Sequence, residues 1–386
     1  MKIEWKNCTE KTIENELKKS QIKVIKTDKE DNTIRLANIK FNVLDKNKNI
    51  LETIVTNKSG EALTKKYPVR DFSKLYIQEV ETNEMYVLDN TIHEVELKEN
   101  QVINIQLENE KIKGQIEITK VDKLDNSKLL ENCEFGVYDI NGNLVQKITT
   151  GKDGKAITDL LVKGKYTIKE LKTGSIYYLI NPNSFETEIK ENKEIISIVI
   201  DNEPVDITVE VEKTGTSEIK PGEKVTYNFK NIANTSNTFL DNFKWYEYLP
   251  TDYIKINTIQ TGTWNQNIKY DIYVKTNKNN EYQIFKKDLD SKINYEINLE
   301  EDFDSDEYVT EFYFDFGKVD VGFKEAISPN IICTSFDNLK DGNKFTNHTK
   351  TIGLYGDLID DADSKWTTIV HVPEEKHDEK LPRTGF

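Results

Sequence analysis

The chain has 386 residues, 36% of them hydrophobic, 31% charged and 10% aromatic, and a formal net charge of −15. That length suits about two to four domains, the apolar content argues against disorder, and the negative balance, with Lys and Arg scattered, excludes nucleic acid as a partner. No apolar run approaches the roughly 20 residues of a membrane-spanning helix, and the opening MKIEWKNCTE lacks the apolar centre of a signal peptide.

In chain order, KIEWKNCTE resembles the last strand of each repeat described below, so residues 1 to about 8 are expected to close a preceding repeat. TEKTIENELKKS then reads as a polar linker or a short helix. From Gln21, QIKVIKTDKEDNTIRLANIKFNVLDKNKNILETIVTNKSGEALT aligns without a gap on QIEITKVDKLDNSKLLENCEFGVYDINGNLVQKITTGKDGKAIT from Gln115. Lys26 meets Lys120, Asp28 meets Asp122, Phe41 meets Phe135 and Gly60 meets Gly154. The match resumes with LYIQEVETNEMYVL over YTIKELKTGSIYYL, and with INIQLENEKIKG over ISIVIDNEPVDI. Within each unit, alternating stretches such as QIKVIK, KFNVLD, LYIQEV and INIQLE predict half-buried strands separated by Asn, Gly and Asp turns. No long segment keeps a helical period, so the repeats are predicted to be small antiparallel β-sandwiches.

From Val205 the pattern changes to longer strands, VDITVEVEKTG, KVTYNFK, FKWYEYLP, IKYDIYV, YVTEFYFDFG, KFTNHTKTIGLYG and KWTTIVHV, which predict a third and larger, Ig-like sandwich. The expected division is 1–20 (end of a preceding repeat plus linker), 21–113, 114–204, 205–372, and 373–386 as linker and C-terminal signal. The fold class is all-β, a series of β-sandwiches.

In both repeats a lysine sits in the first strand, a glutamate in a later strand and an asparagine at the end of the last: Lys26, Glu79 and Asn109, then Lys120, Glu170 and Asn202. With the motifs IKTD/TKVD, LYIQE/YTIKE and ENE/DNE, residues 20 to 204 resemble the CnaB-type (SpaA-like, prealbumin-like) domains of Gram-positive surface adhesins and pilins. The resemblance implies that the lysine amine attacks the asparagine carboxamide, that ammonia leaves, and that the glutamate shuttles protons, giving an intramolecular isopeptide bond. Such chemistry is physically reasonable. Burial disfavours the ammonium and favours a neutral carboxyl, and fixed contact can lower a barrier by roughly 7–11 kcal/mol. A single-turnover reaction of this kind needs no cofactor. In the first repeat Glu81 shares the strand face of Glu79 by alternation.

The third region resembles a wall-proximal domain of the same surface proteins, whose relatives in some cases carry a comparable bond. The analogous residues are Lys213, Asn347 and, as the acid, Asp241 or Glu247; read by itself, Asn347 is an ordinary turn residue. The acidic DLIDDADSKW from Asp357 lacks the glycine and bidentate glutamate of a calcium loop and reads as a solvated turn, and no metal is expected. Trp245, Trp264 and nearby tyrosines read as sandwich core, with a ligand platform as the alternative. The three cysteines, Cys8, Cys133 and Cys333, are too widely spread for a disulfide framework, and Cys133, aligned with Ile39, reads as a small core residue. The four histidines are dispersed, with no Ser-His-Asp or Cys-His arrangement, so the chain is not expected to be an enzyme.

LPRTG, with Leu381, Pro382, Thr384 and Gly385, resembles the LPxTG sorting signal of wall-anchored proteins. The resemblance implies sortase as a partner, cleavage after Thr384, transfer to the peptidoglycan cross-bridge, and a place in the cell wall of a Gram-positive bacterium. The family's signal continues into an apolar segment and a basic tail, so truncation is expected at both ends. The expected role is a stalk projecting a distal adhesive region; the alternatives are an adhesin that itself binds a host or matrix ligand, or a pilin subunit.

Overall fold

The structure, a computed structural model, describes residues 16–304 and 306–373. The predicted opening strand and Cys8, most of the linker after them, and the sorting signal at Leu381, Pro382, Thr384 and Gly385 lie outside the described residues. Two compact units divide near Asn202, the first holding both repeats.

The first repeat forms β1 (Lys19–Asp28), β2 (Lys40–Leu44), β3 (Ile50–Val55), β4 (Glu61–Leu63), β5 (Tyr67–Pro68), β6 (Lys74–Glu81), β7 (Ile92–Glu96) and β8 (Val102–Asn109). One sheet has β1 at its centre, with β4 and β5 pairing along one side and β8 along the other; the facing sheet runs β3-β2-β6-β7. The second repeat repeats this plan with β9 (Lys113–Asp122), β10 (Glu134–Asp139), β11 (Leu144–Thr149), β12 (Lys155–Ile157), β13 (Leu161–Val162), β14 (Gly164–Lys172), β15 (Ser184–Ile189) and β16 (Ile195–Asn202). Its sheets are β12 and β13 with β9 and β16, and β11-β10-β14-β15.

The first and last strands of each repeat lie side by side and parallel. Gln21 to Asp28 pairs in step with Val102 to Asn109, and Gln115 to Asp122 with Ile195 to Asn202. Strand alternation then decides what enters the core. Along β1 the buried face is Ile22, Val24 and Lys26; along β6 it is Leu75, Ile77 and Glu79; β8 contributes Leu107 and Asn109. The second repeat does the same with Ile116, Ile118 and Lys120, with Tyr166, Ile168 and Glu170, and with Ile200 and Asn202. Each apolar stripe thus runs into a buried Lys, Glu or Asn, and the two sheets close over all three.

The larger unit contains β17 (Val209–Gly215), β18 (Glu218–Ile219), β19 (Lys224–Asn234), β20 (Asn242–Tyr248), β21 (Ile254–Gln260), β22 (Thr263–Trp264), β23 (Lys269–Thr276), β24 (Gln283–Asp290), β25 (Glu296–Asn298), β26 (Val309–Asp315), β27 (Glu325–Ile327), β28 (Asn330–Ser335), β29 (Lys344–Tyr355) and β30 (Leu358–Val370). A five-stranded sheet, β17-β19-β28-β21-β25, faces a seven-stranded one, β18-β30-β29-β20-β26-β23-β24. One helical turn, Leu299–Asp302, is the only helix among the described residues. Trp245, Trp264, Phe312 and Phe314 fill the core between the sheets.

Two readings of this region are corrected. The acidic stretch from Asp357 is no turn, because all but its first residue belong to β30, which pairs with β29 from Lys344 to Tyr355. Its carboxylates are accommodated at strand spacing: Asp360 Oδ2 accepts the Val209 amide at 2.9 Å and Asp361 pairs with Lys350 at 2.8 Å. Asn347 is likewise no turn residue. It lies within β29, fully buried, on the same face as Phe345 and Thr349.

Candidate functional site

In the second repeat the three singled-out residues form one closed contact set. Lys120 Nζ donates to Asn202 Oδ1 at 2.6 Å, to the Asp201 carbonyl at 2.9 Å and to Glu170 Oε2 at 3.2 Å. Asn202 Nδ2 donates to Glu170 Oε1 at 2.8 Å, so carboxylate, amine and carboxamide touch pairwise. Lys120 has no exposed surface, and the Phe135 ring centroid lies 5.4 Å from its Nζ. Desolvation therefore pulls the amine below its ordinary proton affinity, with the Glu170 charge opposing part of the shift.

The first repeat brings Lys26, Glu79 and Asn109 together with a different internal arrangement. Lys26 Nζ is 2.6 Å from Glu79 Oε2 and donates to the Glu108 carbonyl at 3.1 Å. Asn109 Nδ2 donates to Glu79 Oε1 at 2.6 Å, while Asn109 Oδ1 accepts no hydrogen bond. Burial again lowers the Lys26 proton affinity, against the influence of Glu79. Glu81 does not share this site. A bulge sets Lys40 opposite Glu81 and Phe41 opposite Glu79, which breaks the alternation and leaves Glu81 on the surface against Lys40.

In the larger unit Lys213 on β17 meets Glu247 on β20 in a fully buried ion pair. Lys213 Nζ stands 4.9 Å from the ring centroids of both Tyr227 and Phe229. Burial lowers its pKa to about 8 and raises that of Glu247 to about 6, each partner opposing the other's shift. Asn347 flanks the Glu247 carboxyl. Neither its Nδ2 nor its Oδ1 makes a hydrogen bond of ordinary geometry. Of the two acids weighed, Glu247 enters the core because it continues the stripe Phe243, Trp245, Glu247. Asp241 precedes that strand, is exposed, and accepts the Gly356 amide at 2.8 Å.

Sequence reasoning missed two contributors that lie in loops, where no periodicity marks them, and a third at the end of β1. Thr82, just after β6, accepts from Asn109 Nδ2 at 2.9 Å. The Asn181 amide donates to Glu170 Oε2 at 2.8 Å. Asp28, two residues beyond Lys26, is buried and accepts from Tyr86 Oη at 2.7 Å, with Lys111 Nζ at 2.9 Å. The aromatic group divides in two. Trp245 and Trp264 are core, whereas Tyr246, Tyr273 and Tyr313 line the outer face of the larger sheet. Tyr273 and Tyr313 stack at 4.7 Å, so their faces are turned to each other. Cys133 is buried in the core, as its alignment with Ile39 suggested. Among the described residues no group of His, Cys, Asp and Glu is arranged to hold a metal ion.

Residues 20–111 and 114–204 each match the SpaA family model, described as a prealbumin-like fold domain. The chain thus carries two tandem SpaA-like prealbumin-fold domains. A stretch of 72 residues, 19% of the chain, is 42% identical to the trypsin-resistant surface T6 protein of Streptococcus pyogenes and spans 13% of that protein. Among solved structures, the Bacillus anthracis TIE protein is 20% identical over 92% of this chain and 50% of its own, with a TM-score of 0.46. GBS52, the minor pilin of Streptococcus agalactiae, is 17% identical over 50% of this chain and 98% of its own, with a TM-score of 0.25.

Proposed function

We propose that the chain is a wall-anchored stalk of a Gram-positive surface protein, built of modules at 21–113, 114–204 and 205–372 that each close an internal Lys–Asn isopeptide bond. The observation that carries this reading is the burial of Lys120, Glu170 and Asn202 in mutual contact, with no solvent between amine and carboxamide. In each module the neutral amine attacks the asparagine Cγ, the C–Nδ2 bond breaks, and the glutamate carries the amine proton to the departing nitrogen, which leaves as ammonia. The reacting groups are Lys26, Glu79 and Asn109; Lys120, Glu170 and Asn202; and Lys213, Glu247 and Asn347. LPRTG at Leu381 to Gly385 makes sortase the partner that would join Thr384 to the peptidoglycan cross-bridge. A pilin subunit is the second reading, and the SpaA-like domains favour it equally.

Intact-mass spectrometry of the purified chain tests the bonds, because each closure removes one ammonia, about 17 Da. Three closures are expected. An unmodified mass would overturn the reading. Glu170→Ala should restore one such unit, assigned by peptide mapping to Lys120 and Asn202.

A further inference from the structure

Among the described residues, Thr82 is a side chain outside the predicted triads that hydrogen-bonds a reacting atom of the first repeat. It follows β6 directly, is half-buried, and its Oγ1 accepts from Asn109 Nδ2 at 2.9 Å. The other Nδ2 hydrogen goes to Glu79 Oε1 at 2.6 Å. Both hydrogens of the carboxamide are thereby held, and a flipped amide would set its oxygen against the Glu79 carboxylate, which can only accept. The amide nitrogen is therefore locked beside the glutamate.

The second repeat achieves the same orientation from the opposite side. There Lys120 Nζ grips the carboxamide oxygen of Asn202 at 2.6 Å. Thr173, which aligns with Thr82, turns away and donates to the Ser175 carbonyl at 2.9 Å. In the first repeat Asn109 Oδ1 accepts no hydrogen bond, so nothing on the oxygen side fixes the amide.

We infer that Thr82 is a fourth working residue of the first repeat, one that holds the leaving nitrogen of Asn109 toward Glu79 while the Lys26–Asn109 bond forms, and that the second repeat does without an equivalent. The inference rests on the isopeptide reading above. The step balances as amine plus carboxamide giving secondary amide plus ammonia: the Lys26 Nζ–Cγ bond forms, the Asn109 Cγ–Nδ2 bond breaks, and one amine proton passes through Glu79 to the leaving nitrogen. The Thr82 hydroxyl is unchanged at the end. It keeps the nitrogen within reach of the carboxyl through the tetrahedral stage, when the nitrogen could otherwise swing away.

The test is a time course on the full chain, made by pulsed cell-free synthesis, quenched, digested and mapped for the two cross-linked peptides. Thr82→Val keeps the branched shape and removes the hydroxyl; Thr82→Ser keeps the hydroxyl. Closure at Lys26–Asn109 is expected to slow about tenfold in Thr82→Val, the worth of one hydrogen bond to the reacting group, and to remain near the wild-type rate in Thr82→Ser. Closure at Lys120–Asn202 in the same molecules should be unchanged in both, which controls for synthesis and digestion, and circular dichroism with thermal unfolding of both variants reports that the first repeat has folded. Equal rates in Thr82→Val and wild type overturn the inference, as does equal slowing in both variants. If the wild-type chain never closes at Lys26–Asn109, the isopeptide reading itself fails, a result distinct from either.

Discussion

Burial gives Lys213 and Glu247 proton affinities displaced toward each other, and the consequence is measurable in a chain that cannot close the bond. In Asn347→Ala the pair stays unlinked. Glu247, raised from 4.5 to about 6, takes up a proton on folding between those values, so stability falls as pH rises through that window. Lys213, lowered from 10.5 to about 8, releases a proton on folding between those values, so stability rises with pH there. Denaturant unfolding of Asn347→Ala should therefore show a stability minimum between about pH 6 and 8, with the acid limb worth about 2 kcal/mol. A flat profile from pH 4.5 to 10.5 would show that the two groups are not buried as a pair. In the wild-type chain the alkaline limb should vanish once the amide has formed, because an amide nitrogen does not titrate, whereas the acid limb should persist, because Glu247 is not consumed and loses the opposing charge of Lys213.

At the scale of elements, the buried lysines Lys26 and Lys120 depend on a turn that contacts their own strand. Gly60 and Gly154 adopt φ values of +68° and +65°, just before the short strands β4 and β12 that pair with β1 and β9. A Cβ on Gly60 would stand 2.6 Å from the Lys26 carbonyl oxygen, and one on Gly154 would stand 2.9 Å from the Lys120 carbonyl oxygen. Those backbones are also bonded directly, Lys26 N to Gly60 O and Lys120 N to Gly154 O, both at 2.8 Å. Gly154→Ala is thus expected to cost about 1–3 kcal/mol through strain and close approach. It should also slow closure at Lys120–Asn202 by shifting β9 against β16. Thermal unfolding together with the mapped cross-link yield checks both. Full stability with unimpaired closure would mean that the turn can move without disturbing the lysine.

For the whole molecule, the decisive feature is that each bond would join a first strand to a last one. Lys26 and Asn109 stand 83 positions apart and Lys120 and Asn202 stand 82 apart. A link closing a loop of that length should stabilise the folded chain by about 4–5 kcal/mol by restricting the unfolded state. The double variant Glu79→Ala, Glu170→Ala should retain about 34 Da more than wild type, melt at lower temperature, and be cut faster by trypsin within residues 20–204. Equal protease resistance in variant and wild type would remove the mechanical rationale for the bonds.

How much was legible in the sequence follows from where each residue sits. Lys26, Glu79, Lys120 and Glu170 were readable because each continues an alternating strand, and because the repeat presents the pattern twice. Local alternation and self-similarity are properties of the chain itself, so the strands, the all-β class and the Lys-to-Asn separations came from the sequence alone. Tertiary structure decided the rest. Glu81 had the same alternation as Glu79 until a bulge moved it outside, and Asn347 looked like a turn until it was paired along the length of β30. Lys213 met Glu247 only through the packing of two sheets, and Thr82 reached the Asn109 carboxamide from a loop that carries no period. Sequence pattern determines which face of a strand is buried. Which buried groups then meet depends on register, bulges and sheet-on-sheet packing, and those are settled only when distant segments close on one another.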